Sequence, residues 1–164
     1  MPKVIEFSLD PGSLERAAQE VKKYAMELDE KVEALIEKLA ERGAEIAKLH
    51  VQLLKTNGTG DLLNSIEGIY SEKDHVGIVR AGAPYAIFVE YGTGVIGAGS
   101  PHPKADGWQY DANGHGDKGW VYLNKRDGKY HWTRGYQSRP FMYNTARELE
   151  RECVNIAKDV FGLD

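Results

Sequence analysis

The sequence predicts a single α+β domain over residues 1–164. An N-terminal strand and long helices, kinked or paired, pack on a mostly antiparallel sheet, and a C-terminal helix completes the layer. Three observations predict it. An apolar stripe runs at helical spacing from Leu14 toward Leu53, short strand-like runs with turn residues follow, and a second helical stripe begins after Arg139-Pro140. Of the 164 residues, 41% are hydrophobic and 28% charged, with a formal net charge of -4. That length supports one core, and no stretch approaches the ~20 apolar residues of a membrane span. The charge is too mild for a solvating acidic tail or for attracting nucleic acid over the whole surface.

Residues 3–9 alternate, with Val4, Ile5 and Phe7 apolar and Glu6 and Ser8 polar, which predicts a strand. The segment lacks the apolar core of a signal peptide, so export by the standard secretory route is not expected. Asp10-Pro11-Gly12-Ser13 then carries helix-start chemistry. Either Asp10 caps with Pro11 in the first helical position, or Ser13 caps a helix beginning at Leu14.

Leu14, Ala18, Val21, Ala25, Leu28, Val32, Leu35 and Leu39 recur at alternating spacings of four and three. The register continues through Ile46, Leu49 and Leu53, with Arg42 as its one polar member. Residues 11–55 therefore read as helical, about 60 Å long if unbroken. Gly43, beside Arg42, predicts a kink or break. Two helices folded against a sheet are favoured over a free coiled coil, because a strand-forming half follows. The charged residues on the other faces read as a solvated surface.

Lys55 to Asp61 ends the helix. Gly58 and Gly60 supply permissive backbone, and Asp61 caps a short turn through Leu62-Leu63. The sheet region, 62–135, opens with strands at Ser65–Glu72 and His75–Ala81. The dense apolar run from Ala83 to Gly94 is a strand or a short helix, which periodicity does not decide. Residues 92–119 hold eight of the eighteen glycines, plus Pro101 and Pro103, and read as a long irregular loop. Asp127-Gly128 between Trp120–Asn124 and Lys129–Thr133 predicts a hairpin. Residues 139–161 form the last helix, with Met142, Ala146, Leu149, Cys153, Ile156 and Val160 on one side.

Four constellations bear on chemistry. Cys153 is the only cysteine, which excludes an intramolecular disulfide and any multi-Cys metal site. Five histidines (His50, His75, His102, His115 and His131) invite a metal, but none forms an HExxH pair. His102 and His115, the latter near Asp117, sit in the Gly-rich loop, where solvated histidine is the default. Glu90 lies inside the apolar run Phe88–Tyr91. It is either paired, with Arg80 or Arg139 as the expected partner, or an acid with a raised pKa. Pairing is favoured. Residues 118–139 carry six basic side chains against one acid, interleaved with Trp120, Tyr122, Tyr130, Trp132 and Tyr136. Such a segment suits a single-stranded nucleic-acid platform or, the favoured reading, a protein interface. Phosphate-loop and G-x-S-x-G spacings are absent.

Three blocks together carry a resemblance. Thr59-Gly60-Asp61-Leu62-Leu63-Asn64-Ser65-Ile66 is similar to a TG-x-L-x-x-S-I entry into a sheet. Pro84-Tyr85-Ala86-Ile87-Phe88-Val89-Glu90-Tyr91-Gly92-Thr93 is similar to a Y-A-x-x-V-E-x-G-T block, and Ser138-Arg139-Pro140-Phe141-Met142 to an A-R-P-F block opening a helix. In this order they resemble the tail-component family of tailed bacteriophages and prophages, comprising neck, tail-completion, head–tail joining and minor capsid proteins. The resemblance implies a structural virion protein, not an enzyme and without a cofactor. It would act as a ring, hexameric by family likeness, against tail-tube or head-closure proteins, with no membrane or nucleic-acid partner. Its site would be the virion neck or tail, after assembly in the host cytoplasm. It carries over no catalytic residue. The architectural and interface candidates are Gly60, Leu62, Tyr85, Glu90, Gly92, Trp120, Trp132, Arg139, Pro140 and Phe141. Two other functions stay open on the residues alone: a metal-dependent hydrolase using the loop histidines and Glu90, and a single-stranded nucleic-acid module using the hairpin.

Overall fold

A computed structural model describes residues 4–6, 8–54, 60–124 and 127–163. Asp10 is extended, and its Oδ1 accepts the Ser13 amide at 2.9 Å, with Pro11 in the first helical turn. Asp10 is therefore the cap, and Ser13 the residue it caps. Helix α1 runs from Pro11 to Leu53 as one 43-residue element, about 65 Å long. The expected strand at 3–9 is absent from the described residues of that span, 4–6 and 8–9. Its alternating pattern finds no partner strand, and alternation alone forms no ladder.

Gly43 does not break the helix. It lets α1 approach its neighbours: a Cβ there would lie 2.6 Å from Val79 Cγ2 and 3.2 Å from Leu149 Cδ2. Two elements grip the C-terminal half of α1. One is the antiparallel pair β1 (Ile66–Ser71) and β2 (Val76–Ala81), in register from Ile66↔Ala81 to Ser71↔Val76. Gly68 of β1 faces the Ala40 carbonyl so closely that any Cβ would collide with it. The other is α5 (Phe141–Phe161), which runs alongside α1. Arg42, the polar member of the stripe, forks onto Glu152 of α5, with Nε–Oε2 at 2.7 Å and Nη2–Oε1 at 3.0 Å. His50 meets Glu148 at 3.0 Å, and Lys31 Nζ donates to the Phe161 carbonyl at 3.4 Å.

The core lies between these elements. Ala44, Ala47 and Val51 of α1 pack with Leu62, Ile66, Ala83, Ala86 and Phe141. Leu62 belongs to a one-turn helix, α2 (Asp61–Asn64), entered through Gly60 in the left-handed region, φ 87°. The expected ending of the long helix through 55–59, with Gly58, lies outside the described residues. Further helices are α3 (Ala86–Tyr91) and α4 (Gly94–Gly99), so the undecided run at 83–94 is helical.

The strands pair antiparallel in an α+β fold, as expected. Among the described residues they form two separate two-stranded sheets rather than one layer, β1–β2 and β3 (Trp120–Asn124) with β4 (Lys129–Thr133). The hairpin itself pairs as its Asp-Gly turn predicts, from Trp120↔Thr133 to Asn124↔Lys129. Residues 125–126 of its turn lie outside the described residues. A short strand, β5 (Gly135–Tyr136), bridges back to Thr93 and Gly94.

Candidate functional site

The chemistry of the helix α5 start organises the site. The first amides of any helix have no intrahelical acceptor. Arg139-Pro140 opens α5, and Pro140 offers no side-chain cap. The carboxylate of Glu90 supplies the missing acceptors from 52 residues away. Its Oε2 accepts the Met142 amide at 2.8 Å and its Oε1 the Tyr143 amide at 2.9 Å. A carboxylate at a helix N-terminus also meets the positive end of the helix dipole.

A third donor completes the arrangement. His102 Nε2 lies 3.0 Å from Glu90 Oε1, and both side chains are buried. His102 Nδ1 accepts the Lys104 amide at 2.9 Å, so Nε2 is the nitrogen that carries the proton and donates to Glu90. Arg80 and Arg139, the expected partners of Glu90, do not hold it. The Arg80 guanidinium forks onto Glu67 across the β1–β2 pair. Arg139 contributes through its backbone, whose N–H donates to the Val89 carbonyl at 2.9 Å.

Gly92 makes this convergence possible. It ends α3 at φ 79°, ψ 172°, a conformation essentially restricted to glycine. A Cβ there would lie 2.6 Å from the Ser138 nitrogen and 2.7 Å from the Tyr136 carbonyl oxygen. The chain entering α5 therefore passes directly against Gly92. Ser138 Oγ donates to the Glu90 carbonyl at 2.7 Å, and Phe141, 1% exposed, anchors the first turn in the core.

The Gly-rich segment is irregular over 100–115, as expected, but it is fastened in place. Besides α4 it holds a 3₁₀ turn at Gly116–Lys118, and aromatic rings pin it to α3. Tyr91 lies over His102 (4.3 Å between centroids) and Trp108 (4.9 Å), while Trp108 Nε1 donates to the Gly92 carbonyl at 3.1 Å. The Tyr110 hydroxyl accepts the His102 amide at 3.2 Å. Trp108 and Tyr110 are thus supporting residues that sequence reasoning missed, and His102, expected to be a solvated loop histidine, is instead buried against Glu90. Proline on both sides of His102 was the available signal for a fixed ring.

A cleft of about 420 Å³ opens beside this pair, lined by Ile87, Glu90, Tyr91, His102, Lys104 and Met142 among others. Both Glu90 oxygens and both His102 nitrogens are already engaged by protein partners, which favours a structural role for the pair. His115, the other loop histidine, is drawn off to Asp111 and packs on Trp120, 4.9 Å between centroids. Among the described residues no group of three or more His, Cys, Asp or Glu side chains is placed to hold a metal ion.

The remaining candidates fall in two places. Gly60, Leu62 and Tyr85 line a smaller cavity of about 210 Å³ with Val51 and Val89. Trp120 and Trp132 sit on opposite faces of the hairpin. Trp120, Tyr122, His131 and Thr133 are half-buried on one face, whereas Val121, Leu123, Tyr130 and Trp132 are exposed on the other. The interleaved aromatics therefore do not form one stacking row. Among the described residues no helix is long and apolar enough to cross a membrane.

Residues 15–92 match the model of the HK97-gp10-like family, described as "Bacteriophage HK97-gp10, putative tail-component". No curated protein and no solved structure matches the chain. The match bears out the tailed-phage resemblance from α1 through the end of α3. It takes in the sheet-entry block and nearly all of the Glu90 block, and stops short of the Arg-Pro-Phe block.

Proposed function

We propose that this chain is a structural tail component of a tailed bacteriophage or prophage that acts at the head–tail junction, or the head-proximal end of the tail, as a ring of its own copies. The observation that carries the tail-component part of this reading is the family match, which ends at the Glu90-Tyr91-Gly92 clamp on α5. The geometry agrees with it. Glu90, Gly92, Pro140 and Phe141 hold α5 in place, and substantial apolar surface is left on elements outside the core. In this reading the protein works by binding, its place is the virion, and tail-tube or head-closure proteins are its neighbours.

The test is electron microscopy of particles produced with and without the gene product. Separate heads and tails in its absence, with joined virions restored by supplying it, are expected. Infectious, normally joined virions in its complete absence would overturn the proposal.

A further inference from the structure

We propose that the exposed apolar stripe on the N-terminal part of α1 is the docking site for the outer face of the β3–β4 hairpin of a second copy of this chain. The inference rests on the ring reading above and names the two surfaces that would build it.

Residues 18–32 of α1 are exposed throughout. On them the heptad-spaced stripe continues without a cover: Leu14 is 42% exposed, Val21 55%, Leu28 39% and Val32 41%. The cover stops where α5 stops, since Phe161 of α5 lies beside Lys31. A helix gains most of its stability in water from packing its apolar face. The hairpin has the converse defect. Val121 (59% exposed), Leu123 (50%), Tyr130 (76%) and Trp132 (61%) form one continuous outer face. A two-stranded sheet needs a further layer to be stable.

The two surfaces suit each other in size and charge. The stripe from Leu14 to Val32 is about 27 Å long and the five-residue strands about 17 Å, so the hairpin fits along it. Residues 14–32 carry five acidic and four basic side chains, against one acidic and three basic over the hairpin, 120–133. Opposite net charges steer the faces together. Pairing α1 with α1 of a second copy fits less well. Parallel pairing would have to displace α5, which already occupies α1 beyond Lys31 through the Arg42–Glu152 fork. Antiparallel pairing about the middle of the stripe sets Lys22 against Lys22 and Glu15 against Asp29. A contact between two different surfaces is also the kind that closes into a ring.

Sedimentation velocity of the full chain tests this, using the wild type, Leu28→Glu, Trp132→Glu and an equimolar mixture of the two variants. Leu28 is exposed, so the circular dichroism and melting of Leu28→Glu should match the wild type; Trp132→Glu also loses the indole bond to the Lys118 carbonyl, so its fold is checked against Tyr130→Glu on the same face. If either variant misfolds, Val21→Glu or Tyr130→Glu replaces it. The wild type should self-associate, and each variant alone should do so at least ~30-fold more weakly. The mixture should regain one contact and stop at a one-to-one dimer. If only Leu28→Glu loses association, or if neither variant does, this pairing is overturned while self-assembly stands. A wild type that remains monomeric up to about 1 mM also overturns the pairing. The ring reading is judged separately, by the particles formed without the protein.

Discussion

Replacing Glu90 with Gln tests how α5 is held. The native carboxylate accepts three N–H groups, from Met142, Tyr143 and His102. A Gln side chain is nearly the same shape but turns one oxygen into a donor. Its better orientation keeps the oxygen on the Oε1 side, toward Tyr143 and His102, and points the NH₂ at the Met142 amide. That removes one charge-assisted hydrogen bond and leaves a buried donor without an acceptor, about 1.5–3 kcal/mol. The two surviving bonds fall to neutral strength, and the charge opposite the helix dipole disappears, about 1 kcal/mol more. The sum is roughly 3 kcal/mol. For two-state unfolding of a chain this size, Tm should fall by about 6–12 °C. Thermal melts by far-UV circular dichroism read the change. Glu67→Gln, which breaks only the exposed Arg80–Glu67 pair, is the control and should change stability by at most about 0.5 kcal/mol. A Glu90→Gln melt within about 2 °C of the wild type, or no larger than the control's shift, would refute the reasoning.

Two further outcomes follow from the same geometry. Gly92→Ala should destabilise by roughly 3 kcal/mol, because a Cβ meets the Ser138 nitrogen and Tyr136 carbonyl while φ stays at 79°; chemical denaturation reads this directly, and a neutral result would mean that the chain does not pass so close. The Arg42 fork holds the Glu152 carboxyl below its ordinary value of 4.5. The folded state therefore binds this proton less readily than the unfolded state, so the pair's contribution is full above the ordinary carboxylate value and lost as pH falls through the lowered one. The melting difference between the wild type and Glu152→Gln should be largest near neutrality and vanish in acid; a difference that is constant with pH would exclude the ion pair as its source.

The parts of the fold legible in the sequence were those fixed by local chemistry. Asp10-Pro11 starts α1, Asp127-Gly128 turns the hairpin, and Pro140 with the stripe behind it marks α5. What was not legible depends on contacts between distant residues. Gly43 reads as a break because helix propensity penalises glycine, yet the approach of Val79 and Leu149 makes glycine the residue that fits. Residues 92–119 read as an irregular loop, and glycine count says nothing about the rings of Tyr91, Trp108 and Tyr110 that fasten it. Glu90 was recognised as a paired carboxylate. Its partners were not, because two of the three are backbone amides, which no side-chain inventory reveals. The strand expected at 3–9 is absent among the described residues of that span for a related reason: a two-residue period describes a surface, and a strand also needs a neighbour to bond with.

The continuity of α1 through Gly43 has a mechanical consequence. The helix is held over roughly its last 20 residues and extends beyond that hold by about 30 Å, so it acts as a lever with its fulcrum near Lys31. A tilt of about 10° at the fulcrum sweeps Leu14 through about 5 Å, nearly the pitch of one helical turn. Small adjustments in how α5 and β1 seat against the base are thereby enlarged at the tip, giving it reach without any loss of rigidity along the rod.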